Sequence, residues 1–446
     1  MKQTGLLVGS TLFFLSSLII FVARFAISII VARTLGVHGK GVYTLVLTIS
    51  SLMVMLLDLG LASALTYLVA SNQYRPRQIL NFALWASIVI GVIGCLGFYW
   101  IYQLFLSQSL LAGVAPIYIR WVVLFLPINI LTSLYLAILL GLQNILAYNI
   151  VNISRVIVNL FLLLFSSWIS LGLPGAIWSW LIANLCAFLM VLWFLRKDIR
   201  LMIFAPWNLL SSSIRYGIKS YPANLLTLFT YRLDTFIVNF FSGASSVGLY
   251  STGVSSAELL WYIPNAISST LFPKSAALDK DVGARLTARV CRQTLLITVP
   301  LAIGFGIAGT VLIPLFYGLN FVGAIIPFLL LLPGIVGIAL SKIIFANLSG
   351  SGRPQFATYA AIFTFAATIV LDILLIPIYD IAGAAIASSI AYLLGSVLAV
   401  FWFSQQTKIQ WHQIIVPTRL DAIDTWNQSV SIWHRVRARF ISSRAD

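Results

Sequence analysis

The chain carries few charges, and few of those are acids. Only 9% of its 446 residues are charged, eleven of them acidic, and Glu258 is the single glutamate. Soluble globular domains carry about 25% charged residues, so this composition excludes an ordinary soluble domain. The three cysteines, Cys95, Cys186 and Cys291, form no CxxC pair, which argues against a disulfide framework and a thiolate metal site. The three histidines, His38, His412 and His434, are far apart, and none has a spacing such as HExxH. "GVHGKG" at 36–41 is not the phosphate-cradling GxxxxGK[ST]. No catalytic residue, metal or cofactor is expected, and the chain does not read as an enzyme.

What fills the sequence is hydrocarbon: 61% hydrophobic residues and a mean hydropathy of +1.02. Apolar runs of roughly 20 residues, each able to cross about 30 Å of bilayer, recur from about residue 5 to 403. Twelve are counted, and the class is an all-α integral membrane protein. Outer-membrane strands alternate over about ten residues, and these runs do not. The first run exceeds an h-region of roughly 7–15 residues and lacks a small-residue cleavage site, so it reads as a span.

The formal net charge of +16 would suit nucleic acid, but its placement says otherwise. On a twelve-span map nineteen cations fall on one side, only Arg33 and Lys40 on the other, and six within spans. By the positive-inside rule both termini are cytoplasmic, and the basic excess serves orientation and contact with membrane lipids. Lys274–Arg289 places Leu278, Val282, Leu286 and Val290 on one helical face, which predicts a short helix lying on the inner surface. Leu420, Ile423, Trp426, Val430, Trp433 and Phe440 recur beside Arg435, Arg437 and Arg439. That pattern predicts a basic amphipathic tail over 404–446.

The chain also repeats itself. "LGVHGKGVY" and "SGASSVGLY" share G-x4-G-x-Y, as Gly36, Gly41, Tyr43 and Gly243, Gly248, Tyr250. "GLPGAIWSW" at 172–180 matches "DIAGAAIAS" at 380–388, and "LLGLQN" aligns Gly141 with Gly350 of "LSGSGR". Three matches in order at offsets of 207 to 209 imply two six-helix halves, 1–200 and 201–403. The halves are parallel, because six spans return the chain to its starting side.

The stretch "GVHGKGVYTLVLTISSLMVMLLDLGLASAL" and its partner "YRLDTFIVNFFSGASSVGLYSTGVSSAELLWYIPNAISSTLFP" resemble polysaccharide transporters of the multidrug/oligosaccharidyl-lipid/polysaccharide exporter superfamily. The resemblance covers both halves. It implies a Wzx-type flippase of the bacterial inner membrane, moving undecaprenyl-pyrophosphate-linked oligosaccharide from the inner to the outer leaflet, with polysaccharide assembly proteins as partners. A drug or peptidoglycan-precursor exporter of the same superfamily is the alternative. A membrane polysaccharide polymerase would want a large outer loop and clustered acids, which this chain lacks.

Buried charges are the candidate site residues. Arg24 in span 1, shifted by 208, falls on Arg232 in span 7. A charge at mid-bilayer costs roughly 2.5–3.5 kcal/mol on insertion scales, so such residues face a wet or protein interior. A pyrophosphate would satisfy both; the competing reading for Arg24 is an internal ion pair with Asp58. Arg155 and Lys342, in the inner half of spans 5 and 10, guide a lipid phosphate or snorkel to the surface. Asp58, Asp234 and Glu258 are the candidates for coupling to H+ or Na+, against packing roles for the same acids. Asp234, nearly across the helix from Arg232, needs another partner. Asp372 reads as lying nearer a span end.

Overall fold

The structure is a computed structural model that describes residues 3–71, 73–196 and 207–424. Its described residues are helices and connecting turns: α1 (Gln3–Asp58), α2 (Leu61–Ala70), α3 (Pro76–Ile101), α4 (Pro116–Leu124), α5 (Leu126–Gly141), α6 (Ile145–Trp168), α7 (Gly172–Leu195), α8 (Trp207–Ala257), α9 (Tyr262–Ala277), α10 (Lys280–Tyr317), α11 (Ile325–Gly350), α12 (Gln355–Thr407) and α13 (Trp411–Ile415). In hydrocarbon every backbone N–H and C=O needs an internal partner, and a helix supplies it locally.

Helices α1 to α12 make twelve spans because the long ones fold back at one residue and others are broken. α1 turns at Gly36 (φ 67°), α8 at Gly243 (φ 78°) and α12 at Asp380 (φ 52°), so each contributes to two spans. Span 2 continues into α2 and span 8 into α9, while α4 and α5 form one span bent by 42°. The remaining helices α3, α6, α7, α10 and α11 are single spans.

The three repeated motifs have one physical cause. Each aligned pair puts a left-handed residue at the same place: Gly36 with Gly243, Gln143 (φ 58°) with Gly352 (φ 84°), and Gly172 (φ 61°) with Asp380. Left-handed backbone reverses a helix in one residue and strains any side chain bearing a Cβ, which is why glycine occupies most of these positions. The repeat is thus visible in backbone conformation as well as in residue type.

By contact the chain falls into two compact units. The first is Met1–Thr252 with Ile313–Gly323; the second is Gly253–Leu312 with Ala324–Asp446. In the first, α5 is the central helix, burying Leu126, Ile130, Leu134, Tyr135 and Ile138 against α2, α3 and α7. Its repeat counterpart α11 holds the same place in the second unit, packed on α9 and α12. Small residues let α11 and α12 approach closely: Ser389 Oγ accepts from Gly334 N–H at 2.9 Å, and Ser341 meets Ser396 at 3.1 Å.

One expectation is corrected here. The segment from Lys280 is not a separate surface helix but the first turns of α10, a continuous 38-residue helix. Its buried stripe is Ala284, Ala288 and Cys291, while Leu278 and Val282 are exposed. The small residues form the buried stripe, and Leu286 and Val290 pack partly buried against the same core. Asp372 is fully buried in α12.

The tail is described as far as residue 424. Trp426, Val430, Trp433, Arg435, Arg437, Arg439 and Phe440 lie outside the described residues. Within them Ile414 and Asp421 are buried, whereas Leu420 and Ile423 are exposed. Arg292 of α10 clasps Asp421 with two nitrogens, at 2.6 and 3.1 Å, and also donates to the Gln413 carbonyl. That guanidinium, with Thr418, holds the Asp421 carboxyl down at about 2. A depressed carboxylate stabilises the docked tail fully above its unfolded value near 4, and the contribution is lost as pH falls through about 2. Limited proteolysis of the protein in nanodiscs should therefore find residues 408–424 protected at pH 7 and progressively cleaved as the pH is taken from about 4 down to about 2. Asp421→Asn should be cleaved at neutral pH; equal protection of the variant would deny the clasp.

Candidate functional site

The first unit contains three of the four candidate cations. α1 packs along α6, which brings Arg24 and Arg155 close enough for their charges to repel. Arg155 donates to Asn152 Oδ1 one turn back, at 3.1 Å. Arg24 is exposed on its helix and makes no ion pair among the described residues.

Asp58 is not Arg24's partner in this structure. It is buried at the break in span 2, where Leu59 (φ 49°) and Gly60 (φ 77°) are both left-handed. Its Oδ1 accepts from Ala62 N–H at 3.0 Å, so the carboxylate caps the first turn of α2. Negative charge at a helix N-terminus is favourable, which gives Asp58 a local backbone partner.

Asp234 also has its partner. Tyr250, the tyrosine of the second G-x4-G-x-Y, donates to Asp234 Oδ2 at 2.5 Å, and Thr235 N–H donates to Oδ1 at 2.6 Å. The half-buried Arg232 is near enough to interact electrostatically with it. In the first half, the matching Tyr43 is buried too, with Asn159 rather than an acid as its polar neighbour.

The second unit gathers the remaining candidates. Span 8 breaks at a short turn, Glu258–Trp261, so Glu258 sits at a helix discontinuity as Asp58 does. Lys342 of α11 donates to Asn265 Oδ1 at 2.7 Å and lies 4.6 Å above the Trp261 ring. It is also within electrostatic reach of Glu258. Asn265 is the repeat counterpart of Asp58, so the two halves use one aligned position differently: a helix cap in one, a lysine acceptor in the other. Discontinuous membrane helices expose backbone and side-chain groups at mid-depth, which is where transporters assemble ion and substrate sites.

Charge counting along the sequence missed what Arg33 and Lys40 do. Arg33 donates to the carbonyls of Phe316 and Leu315, and Lys40 lies 4.3 Å from the Tyr317 ring centre while donating to Ser28 at 3.1 Å. Phe25 adds edge contacts to Phe316 and Tyr317. Together they fasten Ile313–Gly323 to α1. Guanidinium donors satisfy carbonyls left open at the end of α10, and the ammonium is held by cation–π attraction.

Twelve spans, two parallel six-helix halves and broken helices define a multi-pass membrane protein with the fold of the multidrug/oligosaccharidyl-lipid/polysaccharide exporter superfamily. The chain belongs to the polysaccharide biosynthesis protein family, whose model matches residues 30–326. It is 29% identical to the probable flippase AglR of Haloferax volcanii over 43% of this chain and 41% of that one. It thus spans about two fifths of the length of such archaeal relatives. A putative O-antigen transporter of Shigella flexneri matches more broadly, at 22% identity over 85% of this chain and 93% of that one. Among solved structures, the lipid II flippase MurJ in an inward closed conformation superposes with a TM-score of 0.73 at 15% identity, covering 97% of this chain and all of that one. That likeness is one of fold.

Proposed function

We propose that the protein is a flippase of polysaccharide biosynthesis, moving undecaprenyl-pyrophosphate-linked oligosaccharide from the inner to the outer leaflet of the bacterial inner membrane. In this reading both termini are cytoplasmic, and 1–200 and 201–403 are the repeated halves. One observation carries it: Arg24 lies beside Arg155 inside the membrane spans, with no ion pair to Arg24 among the described residues. Two guanidiniums there are costly unless water or an anion lies between them. A pyrophosphate offers oxygens that each planar fork can bind in pairs. A cationic drug would meet the same charges as repulsion. Arg232 is a further cation of the same unit for the head group, and the names carried by the relatives agree with a glycolipid cargo.

Coupling to an H+ or Na+ gradient is assigned to Glu258 and Asp58, the acids at the two helix breaks, with Asp234 more tightly engaged by Tyr250. The test uses purified full-length protein in proteoliposomes loaded with fluorescent prenyl-pyrophosphate oligosaccharide. Arrival in the far leaflet is read by a membrane-impermeant glycosidase. Cleavage should rise severalfold over empty vesicles and depend on an imposed ion gradient. Glu258→Gln should remove the gradient dependence while transport down the substrate gradient persists. Efflux of a cationic drug with no glycolipid movement would overturn the assignment.

A further inference from the structure

An apolar groove of about 540 Å³ opens on the first unit, away from the arginine pair in sequence and in lining. Its walls are Phe82, Trp85 and Val89 of α3 and Ile214, Ile218 and Tyr221 of α8. The Tyr221 hydroxyl is spent on the Leu56 carbonyl at 2.8 Å, so this lining side chain offers the groove hydrocarbon rather than a free donor. Along α3 the lining runs from Phe82 to Ile90, or about 12 Å at 1.5 Å per residue. One leaflet contributes about 15 Å of a 30 Å hydrocarbon core, so the groove matches the depth of a single acyl chain.

One end of this groove is cationic. Tyr74 meets Ser212 at 3.2 Å, which joins the first turn of α3 to the first turns of α8. Arg75 and Arg77 lie on one side of that contact and Arg215 on the other, all three exposed. The N-terminus of α3, with Arg75 as its cap residue and Pro76 in its first turn, adds the positive end of a helix dipole. A molecule with a negative head and one leaflet's length of chain complements both features together.

We propose that this groove is a binding site for an anionic phospholipid of the phosphatidylglycerol type, its chain against Trp85 and Ile218 and its phosphate on Arg75, Arg77 and Arg215. The occupant is a resident membrane lipid rather than the transported one. A prenyl chain of eleven five-carbon units overruns a groove of this depth, and neither Arg24 nor Arg155 is among the residues lining it. The site stands whether or not the flippase reading does.

Trp85 supplies the probe. The full-length protein is reconstituted into vesicles containing phosphatidylglycerol or phosphatidylcholine brominated in the acyl chain. The Trp85 signal is taken as the difference from Trp85→Phe. Quenching should reach half its limit at a phosphatidylglycerol fraction on the order of tenfold below that needed with phosphatidylcholine, because three basic side chains attract the anionic head. Arg77→Gln combined with Arg215→Gln, both surface changes, should erase that preference. Equal quenching by the two lipids, or a preference that survives the double variant, would mean bulk bilayer contact only and overturn the proposal. So would recovery of fluorescence on adding unbrominated undecaprenyl pyrophosphate at an equal mole fraction, since the groove would then hold the transported class of lipid.

Discussion

Arg24→Ala should lower glycolipid transport by about a hundredfold or more while the protein accumulates normally. Truncating one partner of a charge pair that binds through hydrogen bonds costs on the order of 2–5 kcal/mol, and 2.7 kcal/mol is about a hundredfold. Accumulation is spared because the side chain makes no ion pair among the described residues, and its removal relieves repulsion with Arg155. Arg24→Lys keeps the charge but loses the planar fork, so an intermediate rate is expected. Arg232→Ala differs in a useful way. It should also stop transport, but its charge acts on the buried Asp234, so stability should fall by on the order of 1–3 kcal/mol. The measurement is glycan delivery to the outer leaflet in cells lacking their own flippase, with protein level matched by immunoblot. Normal delivery by the double alanine variant would remove both arginines from anion binding.

Gly41→Val and Gly248→Val should each prevent the native fold from accumulating. A Cβ at Gly41 would lie 1.7 Å from the Ala244 carbonyl oxygen, and one at Gly248 would lie 2.0 Å from the Val37 oxygen. These neighbours are backbone, which cannot rotate away as a side chain can. Overpacking costs typically 1–3 kcal/mol, and a main-chain collision between two helices belongs at or above that range. Gly304→Val is the control, since nothing lies within 4 Å of its Cβ direction. Thermal unfolding in detergent should put the two motif variants well below wild type and the control close to it. Wild-type unfolding of Gly41→Val would deny the close approach.

Much of this fold is legible in the sequence because hydrocarbon imposes a coarse rule: a run long and apolar enough must be a helix. The repeat was readable for a related reason. Gly36 and Gly243 occupy left-handed turns, and a backbone that tolerates little but glycine leaves the same letter in both halves. Asp380 shows the limit, since it shares a positive φ with Gly172 in a different residue, and only the flanking Gly175 and Gly383 betray the alignment. Arg24, Arg155 and Lys342 stood out because charge is rare in a span. Their neighbours did not, because they come from distant chain: Asn265 for Lys342, Tyr250 for Asp234, the backbone of Ala62 for Asp58. Charge counting also sent Arg33 and Lys40 to the outer surface as mere exceptions. Their carbonyls and rings lie nearly 300 residues away, where no local pattern could announce them.

The strap Ile313–Gly323 changes what can be done to this molecule with scissors. The chain leaves the first unit after Thr252, re-enters it at Ile313 and leaves again after Gly323. No single cut therefore releases either unit as one uninterrupted polypeptide. A gene split at residue 200 would hand the first fragment α1 to α7 but leave the strap, with its Phe316 and Tyr317, on the second. Arg33 and Lys40 would then have to recapture their partners from another molecule. The sequence repeat and the packing contacts draw their boundaries in different places along this chain.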